Sequence, residues 1–234
     1  MHITFAGVGG SGKTTIAQAV VKKLEQKDKQ VVTRTPFFSP GRPWWYRLAW
    51  CLYLLRYFDV AAFRILVLKD VGNLPGRRRV QRLYMYLIKR YHLSLLKTED
   101  VDVVVYDEGI VHWAAPALVH GVLEKAEVID LHKATVQTEV NTTLIVHVNT
   151  PPVVCKERTD VRHDRDMIAA HYENTPQERE AHAEVISDVV AELAESDAVE
   201  VLTVDGLDSP VHNAAVIIEA VEELERSGSL PASQ

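Results

Sequence analysis

Residues 7–14 read Gly-Val-Gly-Gly-Ser-Gly-Lys-Thr, and the apolar run HITFA, residues 2–6, leads straight into them. This stretch constrains the chain more than any other. It matches the Gly-x₄-Gly-Lys-Ser/Thr pattern at every fixed position, in the strand-before, helix-after context the pattern requires. Gly7, Gly9, Gly10 and Gly12 let the backbone curl so that successive N–H groups point inward at phosphate oxygens. A helix starting near Lys13 adds the positive end of its dipole. Lys13 reaches the β- and γ-phosphates, and Thr14 offers a hydroxyl to Mg²⁺. The expected nucleotide site is therefore Gly7, Gly9, Gly10, Ser11, Gly12, Lys13, Thr14 and Thr15.

The rest of the chain supports a parallel sheet. After the loop, Ala17, Val20, Val21 and Leu24 recur at helical spacing, and QVVTR, closed by Pro36, reads as a second strand. Strand, helix, strand is a βαβ unit, which implies parallel pairing. VDVVVYD and TTLIVHV are near-continuous apolar runs, as expected of strands buried on both faces. A helical stretch lies between them. PPVVCKER begins a further helix with proline in its first turn, and PQEREAHAEVISDVVAELAES reads as a long amphipathic one. VEVLTV is the fifth strand and SPVHNAAVIIEAVEEL the last helix. Residues 37–100 read as mostly helical, and 228–234 as a flexible tail. No repeat or linker divides the chain, so a single domain over residues 1–234 is expected.

Two further clusters carry chemistry. Asp107 and Glu108 close the strand VDVVVYD; an acidic residue there holds the Mg²⁺ shell, which suits Asp107. Glu108 is placed to take a proton from an attacking hydroxyl or to orient a water. Arg158, Arg162 and Arg165 lie in KERTDVRHDRD. Arg158 and Arg162, four apart, share a helix face, whereas Arg165 is expected beyond the helix end. Such arginines can close over a transferring phosphoryl group and exclude water; the plainer reading is a salt-bridged helix end, since Asp160, Asp164 and Asp166 are interleaved.

Charge is unevenly spread. The chain carries a net −6, yet residues 1–33 hold +3, 34–100 hold +9 and 101–234 hold −18. The basic middle segment implies either an anionic partner or a solvated helix face. Its aromatics (Phe37, Phe38, Trp44, Trp45, Tyr46, Trp50 and Tyr53) suit helix–helix packing, stacking on a base, or, less well, a membrane surface over residues 42–58. Two distant cysteines, Cys51 and Cys155, and ten scattered histidines give neither a disulfide framework nor a metal-ligand spacing. The first strand begins at His2, leaving no room for a signal peptide. The longest apolar run of the middle segment, Ala49 to Leu55, is far short of the ~20 residues that span a bilayer. The expected location is the cytoplasm.

FAGVGGSGKTT, VVTRTP, VVVYDE and the arginine stretch ending HDRD together resemble the thymidylate kinase-like branch of P-loop nucleoside and nucleotide kinases, over roughly residues 1–225. The resemblance implies an α/β, three-layer P-loop NTPase fold: a five-stranded parallel sheet of order 2-3-1-4-5 flanked by helices. It implies ATP and Mg²⁺, an Arg-rich lid at 158–166, and an acceptor pocket built partly from 37–100. Arg34 would then face the acceptor, Asp205 would lie near the nucleotide base, and a homodimer through helices would be usual. Three departures bear on the acceptor. Gly9 stands where an acidic loop residue is usual, and Thr33-Arg34-Thr35-Pro36 where Thr-Arg-Glu-Pro is. Asp107-Glu108-Gly109 replaces Asp-Arg-Tyr, whose arginine holds the acceptor's phosphate. A glutamate there repels a monoester and suits a neutral hydroxyl acceptor, unless Arg34, Arg42 and Arg77 to Arg79 build another anion site.

The sequence therefore favours an ATP- and Mg²⁺-dependent kinase acting on a nucleoside, nucleotide or related small molecule. A P-loop ATPase or nucleotide switch, and a kinase acting on nucleic acid or a glycan, remain the alternatives. Neither the acceptor nor a preference for ATP over GTP is written in any residue pattern.

Overall fold

The computed structural model describes residues 1–33, 101–107, 109–121, 123–137, 143–166, 175–195 and 199–227. Five strands, β1 (His2–Ala6), β2 (Val31–Val32), β3 (Val103–Tyr106), β4 (Thr143–Asn149) and β5 (Glu200–Asp205), form one sheet in the order β2-β3-β1-β4-β5. Every pairing is parallel: His2 aligns with Val104 and Thr143, Val31 with Val103, and Leu144 with Glu200. This is the order expected for the P-loop NTPase fold, an α/β architecture with helices on both faces of a parallel sheet. The segments 37–100 and 228–234, and with the first the membrane-surface stretch at 42–58, lie outside the described residues.

Six helices are described: α1 (Lys13–Glu25), α2 (Ile110–Val119), α3 (Lys125–Gln137), α4 (Pro152–Asp166), α5 (Pro176–Ala194) and α6 (Pro210–Arg226). The sheet needs cover on both faces because its apolar strands alternate side chains to each. On one face Ile3, Phe5, Val105, Val146 and Val204 pack with Ile16, Val20 and Leu24 of α1 and Ile217 and Val221 of α6. On the other, Ala6 and Ile145 pack with Ile110 and Ala114 of α2, Val128 of α3 and Ile186, Val190 and Leu193 of α5. Ala17, Val20 and Leu24 are buried as their spacing requires, and Val21 packs at the edge of the same cluster.

Local signals set the helix starts. Thr175 and Glu178 make a reciprocal capping box with Pro176 at the first helical position of α5. Ser209 caps α6, again ahead of a proline. The single helical stretch expected after β3 is two helices, α2 and α3, broken around Gly121, whose φ of 65° suits glycine. The arginine stretch also differs from expectation. α4 runs unbroken to Asp166, so Arg165 lies within the helix. No glycine or proline interrupts KERTDVRHDRD, and Lys156 pairs with Asp160 one turn on at 2.5 Å.

All five strands point their carboxyl ends to one side, where the loops after β1, β3, β4 and β5 meet. No helix among the described residues is long and apolar enough to cross a membrane.

His147, half-buried on β4 opposite Ala6 and Thr203, has its pKa lowered from 6.5 because burial disfavours the cation. Its folded value lies below its unfolded one, so the unfolded chain takes up the proton first as pH falls. Stability is full above the unfolded value and declines below it, down to the folded value. His147→Gln should flatten that part of the decline in urea midpoints measured between about pH 7.5 and 5.

Candidate functional site

In the loop from Gly7 to Gly12, the carbonyls of residues 7, 8, 9, 11 and 12 are engaged by donors. Gly7 O accepts from Lys13 Nζ at 2.7 Å and lies 2.9 Å from His112 Nδ1. Val8 O accepts from Lys13 Nζ at 2.8 Å and from Ser11 N at 3.2 Å. Arg179 Nη1 reaches Gly9 O at 3.4 Å. Ser11 O accepts from Thr150 Oγ1 at 3.0 Å and, more weakly, from Arg158 Nη1 at 3.4 Å. Gly12 O takes the first helical bond, from Ile16 N at 3.0 Å. Carbonyls engaged in this way suit a loop whose N–H groups are left for an anion.

Two positions show why the loop needs glycine. Gly10 has φ 85°, and a Cβ there would come within 2.2 Å of Cys155 O and 2.6 Å of Thr159 Oγ1. Helix α4 thus presses directly on the loop's tip. Gly12, φ 101°, is the amino-terminal cap of α1 and brings no side chain to its first N–H groups. Ser11 Oγ, fully buried, has no hydrogen-bond partner among the described residues. An uncapped helix start, an orphaned hydroxyl and a cradle that a Cβ would fill fit a bound phosphate chain.

Across the cleft, Thr14 Oγ1 donates to Asp107 Oδ2 at 3.0 Å. One residue starts α1 and the other follows β3, 93 positions apart. The edge of an octahedron with Mg–O bonds of about 2.0–2.1 Å is about 2.9 Å. The two oxygens therefore stand as neighbouring Mg²⁺ ligands would, and the donor set, hydroxyl and carboxylate, is that of a hard cation. Thr15, the next residue of α1, is exposed. A cleft of about 220 Å³ opens beside this pair, lined by Thr14, Ala17, Gln18, Val21, Lys22, Glu25, Thr33, Val105 and Asp107.

The loops after β4 and β5 close the other flank. Arg158 forks onto Gly206 O, with Nη1 and Nη2 both at 3.0 Å. A Cβ at Gly206 would sit 1.7 Å from Thr150 Oγ1 and 2.8 Å from Ser11 O, so the β5–α6 corner is packed against the phosphate loop. Asp205 ends β5; its Oδ1 accepts from Leu207 N at 2.8 Å and its carbonyl from Asn213 Nδ2 at 2.7 Å, a self-capped turn. Arg162 and Arg165 follow Arg158 along α4 at i+4 and i+7, so the three share one stripe of the helix. Glu108, Arg34, Arg42 and Arg77 to Arg79 lie outside the described residues.

Sequence reasoning overlooked His112, Thr150, Arg179 and Gly206. Arg179 left a trace: it stands on the apolar stripe of α5 with His182, Ile186, Val189 and Leu193, where a charge is out of place. It is 5% exposed and also donates to Thr159 Oγ1 at 3.0 Å, which donates in turn to Cys155 O at 2.7 Å. Nothing in the pattern marks His112 or Gly206, because their partners are distant in sequence and the atoms involved are backbone carbonyls.

No protein-family model and no curated protein matches the sequence. Solved structures do. Deoxyadenosine kinase from M. mycoides with bound dCTP superposes with a TM-score of 0.51 at 12% identity, covering 95% of this chain and all of that one. The same enzyme with the products dCMP and a flexible dCDP gives 0.54, and with dATP 0.55, each at 13% identity and the same coverage. At that identity the likeness establishes the fold.

Gly10→Ala meets both a positive φ and a backbone oxygen, and should cost about 2–4 kcal/mol, lowering Tm by about 5–10 °C. Gly121, φ 65° with open space within 4 Å of where a Cβ would stand, supplies the control. Gly121→Ala should cost about 1 kcal/mol. Paired thermal melts check the difference.

Proposed function

We propose that the chain is a phosphotransferase of nucleoside-kinase type, moving the γ-phosphoryl group of ATP to a hydroxyl of a nucleoside or nucleotide. The observation that carries this reading is the 3.0 Å approach of Thr14 Oγ1 to Asp107 Oδ2 at the mouth of the phosphate loop. A fold shared with deoxyadenosine kinases over 95% of the chain supports it. Thr14 and Asp107 would hold Mg²⁺, which when bound neutralises charge on the phosphate oxygens.

The chain's own residues divide the remaining work. The inward N–H groups of residues 7–13 and the start of α1 bind the phosphates, and Lys13 turns its ammonium to the β- and γ-oxygens. The acceptor oxygen attacks the γ-phosphorus in line, ADP leaves, and Glu108 takes the hydroxyl proton. A carboxylate at 108 favours an uncharged acceptor over a phosphate monoester, so a nucleoside is preferred to the monophosphate a thymidylate kinase uses. Arg158, fixed on Gly206 O, ties the arginine helix to the corner after β5. Arg162 and Arg165 supply cations over the transferring group.

ADP release from MgATP should rise several-fold with one nucleoside of a panel that also holds monophosphates, sugars and a DNA end. Lys13→Ala should remove that stimulation, lowering kcat at least about a hundredfold. ADP release that no acceptor changes would overturn the kinase assignment in favour of an ATPase or switch. Asp107→Asn should lower kcat by a comparable factor and raise the Mg²⁺ concentration needed for half-maximal rate.

A further inference from the structure

Gly7 O is served from two sides, by Lys13 Nζ at 2.7 Å and by His112 Nδ1 at 2.9 Å. Lys13 is the residue whose work lies elsewhere once a triphosphate binds. Its ammonium has three protons, and here two of its contacts are loop carbonyls, Gly7 O and Val8 O. Reaching both a β- and a γ-phosphate oxygen takes two of the three protons, so at least one of these carbonyls would then be given up. Val8 O keeps a second donor, Ser11 N, inside the loop itself. Gly7 O has no such donor within the loop and sits where the loop is closely packed. Its residue has φ 144°, and a Cβ there would meet Val148 O at 2.8 Å and Ser11 Oγ at 2.9 Å.

We propose that His112 is a positioning residue that holds the Gly7 carbonyl while Lys13 transfers to the phosphates, so that nucleotide binding does not leave that carbonyl unpaired. This rests on the phosphotransferase reading above. A carbonyl only accepts, so the contact requires the proton on Nδ1. Placement follows from the chain. Gly109 N bonds Phe5 O at 3.1 Å, and a Cβ at Gly109 would come within 2.7 Å of Thr4 Oγ1, so the start of α2 lies flush against β1. The first turn of α2 then brings His112 to the end of the same strand, five positions after the metal-binding candidate Asp107. Val111 and Ala115, either side of it in sequence, are buried under the sheet and fix the helix's roll.

The exchange makes a prediction that a merely structural histidine does not. With Lys13 present and no nucleotide, Gly7 O has two donors, so His112→Ala should change Tm by no more than about 2 °C. The same variant should bind MgATP about tenfold more weakly, because Lys13 can no longer leave without orphaning a buried carbonyl. His112→Asn, whose amide nitrogen stands near the position of Nδ1, should recover most of that loss. In a Lys13→Met background His112 is the donor left to Gly7 O among the described residues. There His112→Ala should lower Tm by several degrees more than it does in the wild-type chain. Calorimetric titration with MgATP and thermal melts of the five proteins decide it. Wild-type affinity in His112→Ala, or equal Tm losses in the two backgrounds, would overturn the exchange while leaving the kinase assignment intact. Absence of MgATP binding by the wild-type chain would overturn both.

Discussion

The engagement of the phosphate loop's carbonyls by donors from around it is the constraint on which the rest of the site depends. A six-residue loop of four glycines has little intrinsic preference for one shape. It is given one by donors from four separate places: Lys13 at its own helix start, His112 on α2, Thr150 and Arg158 at the β4–α4 junction and along α4, and Arg179 on α5. Each is rigidly mounted, because α2 and α5 share one buried cluster and α4 lies against the loop's tip. The sheet thus works as a frame that converts packing energy into the orientation of a few peptide units. Preorganised N–H groups cost no reorganisation when charge arrives.

The fold is largely legible in the residues, and the reason is periodicity. Strands β1, β3 and β4 are apolar runs because they are buried on both faces, and their spacing by helical segments leaves parallel pairing as the natural outcome. Boundaries are less legible. Arg165 is expected past the end of α4, yet the charged stretch stays helical through Asp166, with no glycine or proline to end it. The break around Gly121, which divides α2 from α3, is a one-glycine signal inside a long apolar stretch.

The site is legible where chemistry imposes residue types at fixed spacing, and silent where it does not. The glycines, Lys13 and Thr14 are the residue types that a phosphate and a metal would impose, and Asp107 stands out by its place after a central strand. His112, Thr150 and Gly206 act through backbone carbonyls, and a carbonyl accepts from many side chains. Their identity is fixed by distance in the folded chain, which sequence spacing does not encode. Arg179 is the intermediate case: a charge on an apolar stripe announces that it has a partner without saying which.

Helix α1 begins with glycine and no capping side chain, while α5 and α6 are capped by Thr175 and Ser209. The helix at the centre of the molecule has thus exchanged a cap, commonly worth about 1 kcal/mol, for a place to seat an anion. A ligand that binds only the folded chain adds stability in proportion to the logarithm of its concentration. Were ATP that ligand, the supply of triphosphate would become a term in the protein's own turnover. A fall in the triphosphate pool would enlarge the fraction of time the chain is open to proteases, so that the lifetime of the protein, and not its rate alone, would follow the supply of its phosphoryl donor.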